Sequence, residues 1–402
     1  MNPDWQSYSH FLMNSYGASF FGMPSGESCM LLVLAVLFGL LLLHPYFIYP
    51  LSLRLFRARP LSFQPGGARP SATLVFCAYN EAASVPDKIA NIRAIKALYP
   101  ELRFRAYVDQ STDNTLGLLQ EHSDVLDVYP AAERTGKAVG MRQLAAVSDT
   151  EIMIFTDANV TVKPDTIGRM LDYFGDPEVG GVCGTLIYTN ADESATASAN
   201  SVYWRIEEYI KKNETRCGST MGADGSLFAT RRRYYPEVPS HLLDDFIVSM
   251  SIVFAGKRLI SAPDVIAFER SAASSGDESR RKRRIACRAY SSHRYLVPKL
   301  RGMSVLNRYK YISHRLIRWY GAAWGLLSVG FGLLWIEQIG GVQAMLAAAT
   351  ALAVLMLFAL KGRVHKLRWL GELARALWAT MLGVVDSLRG KRYQTWQPAQ
   401  TR

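Results

Sequence analysis

In Glu151-Ile-Met-Ile-Phe-Thr-Asp157-Ala-Asn159-Val-Thr161, a short apolar run from Ile152 to Phe155 is followed at once by Asp157 and Asn159. Such a run reads as a buried strand that delivers the two oxygen-bearing side chains at its carboxyl end. In open α/β sheets that edge is where ligands bind. Alternate oxygen side chains there can hold a divalent cation against phosphates. A plain turn carrying Asx residues is the competing explanation, so the neighbouring chain has to decide.

Working outward, the chain alternates strand-like and helix-like segments from Ser71 to about Pro263. Thr73–Cys77 reads as a strand, and Glu81–Leu98 carries Ile89, Ile92, Ile95 and Leu98 at helical spacing. Arg103–Val108, Val125–Tyr129 and Ile152–Phe155 read as further strands, Lys137–Val147 and Pro164–Phe174 as helices. This rhythm predicts an α/β fold with a largely parallel sheet and helices on both faces. Polar residues fall at the strand ends: Ala78-Tyr-Asn80-Glu81, Asp109-Gln-Ser-Thr-Asp113, and Glu133-Arg134-Thr-Gly136-Lys137 ahead of the fourth strand. Each alone is explained by a helix cap or a solvated loop. Their joint placement on one sheet edge points to a site.

Taken together, Cys77-Ala-Tyr-Asn-Glu81, Asp109-Gln-Ser-Thr-Asp113, Gly136-Lys137-Ala138, Asp157-Ala-Asn159 and Asp244-Asp245 resemble glycosyltransferase family 2 in kind and order. The resemblance covers about residues 71–290. It implies a GT-A fold, which is Rossmann-like, a nucleotide-sugar donor (UDP-sugar above all), a divalent cation (Mg2+ or Mn2+), and inversion at the anomeric carbon. By resemblance Asp109 should accept a hydrogen bond from the donor's base, with Ala78, Asn80 and Glu81 lining the same pocket. Arg134 and Lys137 should meet the diphosphate, cations being suited to a departing anion. Asp157 and Asn159 should ligate the metal. The family's Asp-x-Asp has here become Asp-Ala-Asn, so a neutral carbonyl replaces one charge. Asp245 is the expected general base, with Asp244 in reserve; adjacent carboxylates repel, which raises one pKa. An acidic helix start is the other reading of that pair. Asp224, in Met221-Gly-Ala-Asp-Gly-Ser-Leu-Phe228, is expected to touch the sugar or to sit in a turn.

The acceptor side departs furthest. Polymerising members carry Gln-x-x-Arg-Trp, whereas this chain has Arg281-Lys-Arg-Arg284-Ile285, with Arg315-Leu-Ile-Arg318-Trp319 as a looser match. The missing Trp removes a stacking platform for a growing glycan. Arg281 and Arg284 suit a phosphate-bearing acceptor, or the donor's pyrophosphate, instead, and a basic face on anionic lipid is the other reading.

The composition, 49% hydrophobic and 20% charged, suits a globular domain with membrane segments attached. Met30–Ile48 is almost wholly apolar and about long enough to span a bilayer. Arg54, Arg57 and Arg59 follow it, which puts the chain after residue 60 in the cytoplasm. Two more spans are expected at about 319–336 and 342–360, joined by a polar loop with Glu337 and Gln338. Lys361, Arg363, Lys366 and Arg368 mark the return, and an interfacial or re-entrant helix is expected at about 370–388. This divides the chain into 1–60, 61–279, a basic interface at 280–318, and 319–402. Thirteen Lys or Arg and no acid lie between Arg280 and Arg318, which favours anionic lipid over nucleic acid. The five cysteines show no CxxC pair and are expected to be reduced.

The sequence therefore predicts a bacterial inner-membrane transferase that adds a sugar to a polyprenyl-diphosphate-linked saccharide in envelope or exopolysaccharide synthesis, beside envelope assembly proteins. A processive synthase and a catalytically silent nucleotide-binding relative are the alternatives.

Overall fold

The structure, a computed structural model, describes residues 26–63, 65–190, 195–270, 275–361 and 368–395. Residues 1–25, Arg363 and Lys366, on which part of the topology expectation rests, lie outside them.

Helix α1 (Gly26–Leu43) precedes a strict alternation of β1 (Ala72–Ala78), α2 (Val85–Leu98), β2 (Arg103–Val108), α3 (Thr115–Gln120), β3 (Asp127–Pro130), α4 (Lys137–Val147) and β4 (Ile152–Asp157). Strands β3, β2, β1 and β4 pair in parallel in that order, as the alternation predicts. All seven residues of β1 are buried. Leu74 and Phe76 pack with Ile89, Ile92 and Ile95 of α2 on one face, while Val75 and Cys77 meet Met141 and Leu144 of α4 on the other. The two-residue period of a strand places successive side chains on opposite faces, so each face has its own core.

The second half corrects the expectation of a largely parallel sheet. It contains β5 (Thr161–Val162), α5 (Thr166–Asp172), β6 (Val179–Tyr188), α6 (Ala195–Arg216), β7 (Leu227–Arg231), α7 (Asp244–Phe254) and β8 (Arg258–Glu269). Strand β7 runs antiparallel between β4 and β6, and the eight strands follow the order β3-β2-β1-β4-β7-β6-β8-β5. All five residues of β7 are buried, so no polar alternation marks it in the sequence.

Beyond β8 come α8 (Ser275–Leu300), α9 (Val305–Tyr311), a π-helical segment at Ile312–Leu316, α10 (Gly321–Lys361) and α11 (Arg368–Leu388). Two helices among the described residues, Gly26–Leu55 and Gly321–Lys361, are long and apolar enough to cross a membrane. The 41 residues of α10 form two helical stretches on either side of Gly341, each about 30 Å long and so close to the thickness of one hydrocarbon core. Gly341, at φ +78°, interrupts it. Glu337 and Gln338 belong to the helical stretch before Gly341 instead of a loop, and the apolar helix begins at Gly321, just after the buried Trp319.

The chain divides into two compact units, Met1–Leu40 with Trp324–Leu355, and Leu41–Ala323 with Met356–Arg402. In the first, Phe38 stacks on Trp324 and Phe331 with ring centroids 5.9 and 5.6 Å apart. In the second, α11 lies on α8, where Asp386 takes both arms of Arg283 at 2.7 and 2.8 Å. Trp369, Leu373, Trp378 and Leu388 of α11 are exposed.

Much of the basic run from 280 to 318 turns inward, which corrects its reading as a lipid-facing stripe. Arg283 and Arg288 pair with Asp386 and Asp244, and Lys310, Arg315 and Arg318 bind Glu214, Met221 and Glu207. Acids and backbone carbonyls elsewhere in the chain receive these five side chains, and sequence spacing does not reveal them.

Candidate active site

The parallel strands end on one edge, and the candidate residues gather there. Lys137 opens α4, and its ammonium lies 2.5 Å from Asp157 Oδ1 at the end of β4. Across from it, Gly225 precedes β7. A Cβ built on Gly225 would sit 2.9 Å from Asp245 Oδ2 and 3.4 Å from Lys137 Nζ. A side chain at 225 would therefore fill the space between the Asp245 carboxyl and the Lys137 ammonium, which only glycine leaves open. Lys137, Asp157 and Asp245 converge although 108 residues separate the first and last (245 − 137).

Asp244 and Asp245 occupy the first turn of α7, so the helix-start reading holds alongside the chemical one. Asp244 is 3.6 Å from Arg288, whereas Asp245 faces Lys137. Burial first, then the adjacent Asp244 carboxylate, pushes the Asp245 carboxyl up to about 7 against the opposing pull of Lys137. That value suits a group that must accept a proton near neutral pH. Burial alone would lower the Lys137 ammonium, but Asp157 and Asp244 outweigh it and hold it charged. Asp224 Oδ1 accepts from the Ser226 amide at 3.2 Å, the turn that its sequence also allowed.

The residues expected on the donor side bond to groups of their own fold. Asp109 is completely buried. Its Oδ1 accepts from the amides of Thr135 at 2.7 Å and Gly136 at 3.1 Å. Its carboxylate thus supports the loop carrying Lys137. Gly136 holds φ +91°, and a Cβ there would collide with the Gln394 carbonyl, so this support needs glycine. Ala78 is equally buried and contributes its carbonyl, which accepts from the Asp109 amide at 2.9 Å. Asn80, at φ +53°, donates to Thr112 Oγ1 at 3.0 Å and accepts from the Thr112 amide at 2.8 Å, tying the first two strand ends together. Glu81 Oε2 accepts from Ser84 Oγ at 3.2 Å. The sequence reading overlooked Tyr79, whose ring lies 3.4 Å beneath the Arg134 guanidinium.

Asp157 and Asn159 offer oxygens alone, the donor chemistry of Mg2+ or Mn2+. Among the described residues no three His, Cys, Asp or Glu side chains cluster to hold a metal by themselves. A cation here would complete its shell from diphosphate oxygens and water, which a hard divalent ion accepts.

Two further features left no readable signal. Lys88 of α2 is buried, and its ammonium donates to the carbonyls of Asp157 at 2.9 Å and Val160 at 2.8 Å. Asn91, one turn on, exchanges bonds with the Val162 carbonyl at 2.6 Å and amide at 2.8 Å. Together they clamp the turn that carries Asp157 and Asn159. Lys88→Met should strand two buried carbonyls at about 1–3 kcal/mol each. The expected outcome is a lower midpoint in thermal unfolding and a raised nucleotide KM, with unchanged values in both counting against the clamp.

The second is a buried ionic cluster. His314, within the π-helical segment, lies 2.9 Å from Glu214 Oε1 through Nδ1 and 2.9 Å from Glu207 Oε1 through Nε2. Glu214 also accepts from Tyr49 at 2.5 Å, Thr220 Oγ1 at 2.8 Å and the Met221 amide at 3.1 Å. Burial opposes charge on both glutamates, yet Arg318 and His314 hold Glu207 down, and His314 and Lys310 hold Glu214 at about 2. Arg315 Nε donates to the Met221 carbonyl at 2.6 Å. The looser Arg315–Trp319 motif thus anchors the loop leading to Asp224. Arg281 hydrogen-bonds Tyr188 and sits 3.9 Å from Glu278, while Arg284 is half-buried on the same helix.

A mixed sheet with lysine, paired acids and an oxygen-donor turn at its parallel edge fits the GT-A fold. Residues 73–238 match the family described as Glycosyl transferase family 2, and the chain carries a glycosyltransferase domain of that family. It is 24% identical over 199 residues to a poly-beta-1,6-N-acetyl-D-glucosamine synthase of Staphylococcus aureus, covering 48% of each chain. It is 24% identical over 185 residues to a beta-monoglucosyldiacylglycerol synthase of Nostoc sp., covering 44% of this chain and 39% of the relative. The chain thus spans about half the length of the curated relatives it matches. In fold it resembles a mannosyltransferase from Pyrobaculum calidifontis solved with GDP-Man and Mn2+, with a TM-score of 0.68 and 19% identity over 90% of this chain and 99% of that one.

Proposed function

We propose that this chain is a metal-dependent inverting glycosyltransferase that moves a sugar from a UDP-sugar to a lipid-linked saccharide held at a bacterial inner membrane. The observation that carries the reading is the convergence of Lys137, Asp157 and Asp245 around the open space at Gly225. Asp245 would take the proton from an acceptor hydroxyl while that oxygen attacks the anomeric carbon from the side opposite the diphosphate. Lys137, now paired with Asp157, and Arg134 would take up the charge of the departing UDP. Asp157 and Asn159 would hold the cation, which when bound neutralises diphosphate charge. The apolar helices α1 and α10 would hold the chain at the membrane that carries the lipid acceptor, and Arg281 and Arg284 would meet that acceptor's phosphates.

A second reading, a processive synthase, is favoured by the Staphylococcus aureus relative, which is named for a polymer. Purified protein supplied with labelled UDP-sugars and extracted lipid acceptors separates the two. One added sugar per acceptor is expected, and a ladder of long product without added acceptor would replace the first reading by the second. Release of no nucleotide diphosphate from any donor would overturn both. Chelation by EDTA should reduce transfer to background and Mn2+ or Mg2+ should restore it, whereas full activity in chelator removes the role given to Asp157.

A further inference from the structure

The site carries one carboxylate fewer at position 159 than the two-acid pattern of its family, and the fold places another carboxylate against that position. Asn159 Nδ2 donates to Glu269 Oε1 at 3.1 Å across 110 residues of sequence. Glu269 is the last residue of β8 and is buried, and its own carbonyl accepts from the Thr189 amide at 3.0 Å. A carboxylate is an acceptor only, so the Asn159 amide group must turn its NH2 towards Glu269. The Asn159 carbonyl oxygen is then directed away from Glu269. Meanwhile the Asp157 carbonyl on the same turn is pinned by Lys88 at 2.9 Å.

We propose that Glu269 is a positioning residue for the divalent cation: it fixes the Asn159 carbonyl in its ligating orientation and returns to the site the negative charge missing from residue 159. Outer partners of this kind orient a ligand and raise its basicity, and their loss typically costs 10- to 100-fold in metal affinity. The inference rests on the metal-dependent reading given above and assigns one of its ligands a partner. Arg281 lies within charge range of the same carboxylate. Glu269 could instead serve only to neutralise that arginine, and the experiment separates the two roles.

Mn2+ binding to the full-length protein in detergent with UDP present would be measured by electron paramagnetic resonance. Wild-type protein should show saturable, UDP-dependent binding; if it binds no Mn2+, the metal-dependent reading itself fails. Glu269→Gln should weaken Mn2+ roughly 10- to 100-fold while UDP binding without metal stays within about threefold. The exchanged pair, Asn159→Asp with Glu269→Gln, rebuilds the same hydrogen bond with donor and acceptor reversed and conserves the charge. It should recover Mn2+ affinity to within about threefold of wild type. Wild-type Mn2+ affinity in Glu269→Gln, or an exchanged pair as weak as the single variant, would overturn the proposal while leaving the metal-dependent reading intact. Should Glu269→Gln not fold, the exchanged pair measured against wild type decides alone. Retained affinity supports the assignment and a 10-fold or larger loss overturns it.

Discussion

Asp245→Asn is expected to lower kcat by about 10²–10⁴ while leaving donor KM within a few-fold, because a general base contributes in the transition state and little to ground-state binding. The amide keeps the shape of the carboxylate, and its Oδ1 can still accept from the Phe246 amide, now 2.6 Å away. The first turn of α7 therefore has no reason to unravel. The wild-type rate should also rise with pH through about 7, since burial and Asp244 raise the Asp245 carboxyl to that value and only the ionised form accepts a proton. This limb should vanish in Asp245→Asn. In Asp244→Asn it should move to lower pH, because removing a neighbouring negative charge favours ionisation of the one that remains. A pH–rate series on the three proteins checks all of this. Transfer at the wild-type rate in Asp245→Asn, with folding intact, would return the base role to Asp244 or to another group.

His314→Leu should destabilise the protein by about 3–5 kcal/mol, the usual cost of removing one partner from a buried ionic cluster. Glu207 and Glu214 each have an oxygen 2.9 Å from the ring, and their oxygens can only accept, so both ring nitrogens must donate. Leucine would leave two buried carboxylate oxygens facing hydrocarbon. For a unit of this size the unfolding midpoint in detergent should fall by roughly 4–7 °C. Function should suffer at temperatures where the variant is still folded. Glu214 also holds Thr220 and Met221, and the following residues carry Asp224 and the space at Gly225. Loosening that loop should raise acceptor KM more than donor KM, because Asp109, Lys137 and Lys88 hold the donor side independently. An unchanged unfolding midpoint in His314→Leu would show that the cluster contributes no net stability.

The membrane-proximal chain shows how charge is misread along a sequence. The residues from Arg280 to Arg318 look like a stripe for anionic lipid, yet Arg283, Arg288, Lys310, Arg315 and Arg318 face acids or carbonyls of their own fold. Those partners are drawn from α6, α7, α11 and the Met221 loop, and no spacing rule connects them. Paired inward, these side chains fasten α8 and the π-helical segment to the catalytic unit.

Local physics set the parallel half of the sheet, the edge where Asp157 and Lys137 emerge, the acidic start of α7 and the apolar helices. Apolar periodicity, turn-forming residues and long hydrocarbon runs act within a dozen residues and are written in order along the chain. Tertiary packing alone decided that β7 runs antiparallel, that Asp109 is consumed in holding Thr135 and Gly136, and that Lys88, Glu269 and His314 brace the site. In each of these cases a buried polar group finds a partner far along the chain. The demand that it find one is general, but which partner answers is settled only when distant segments meet.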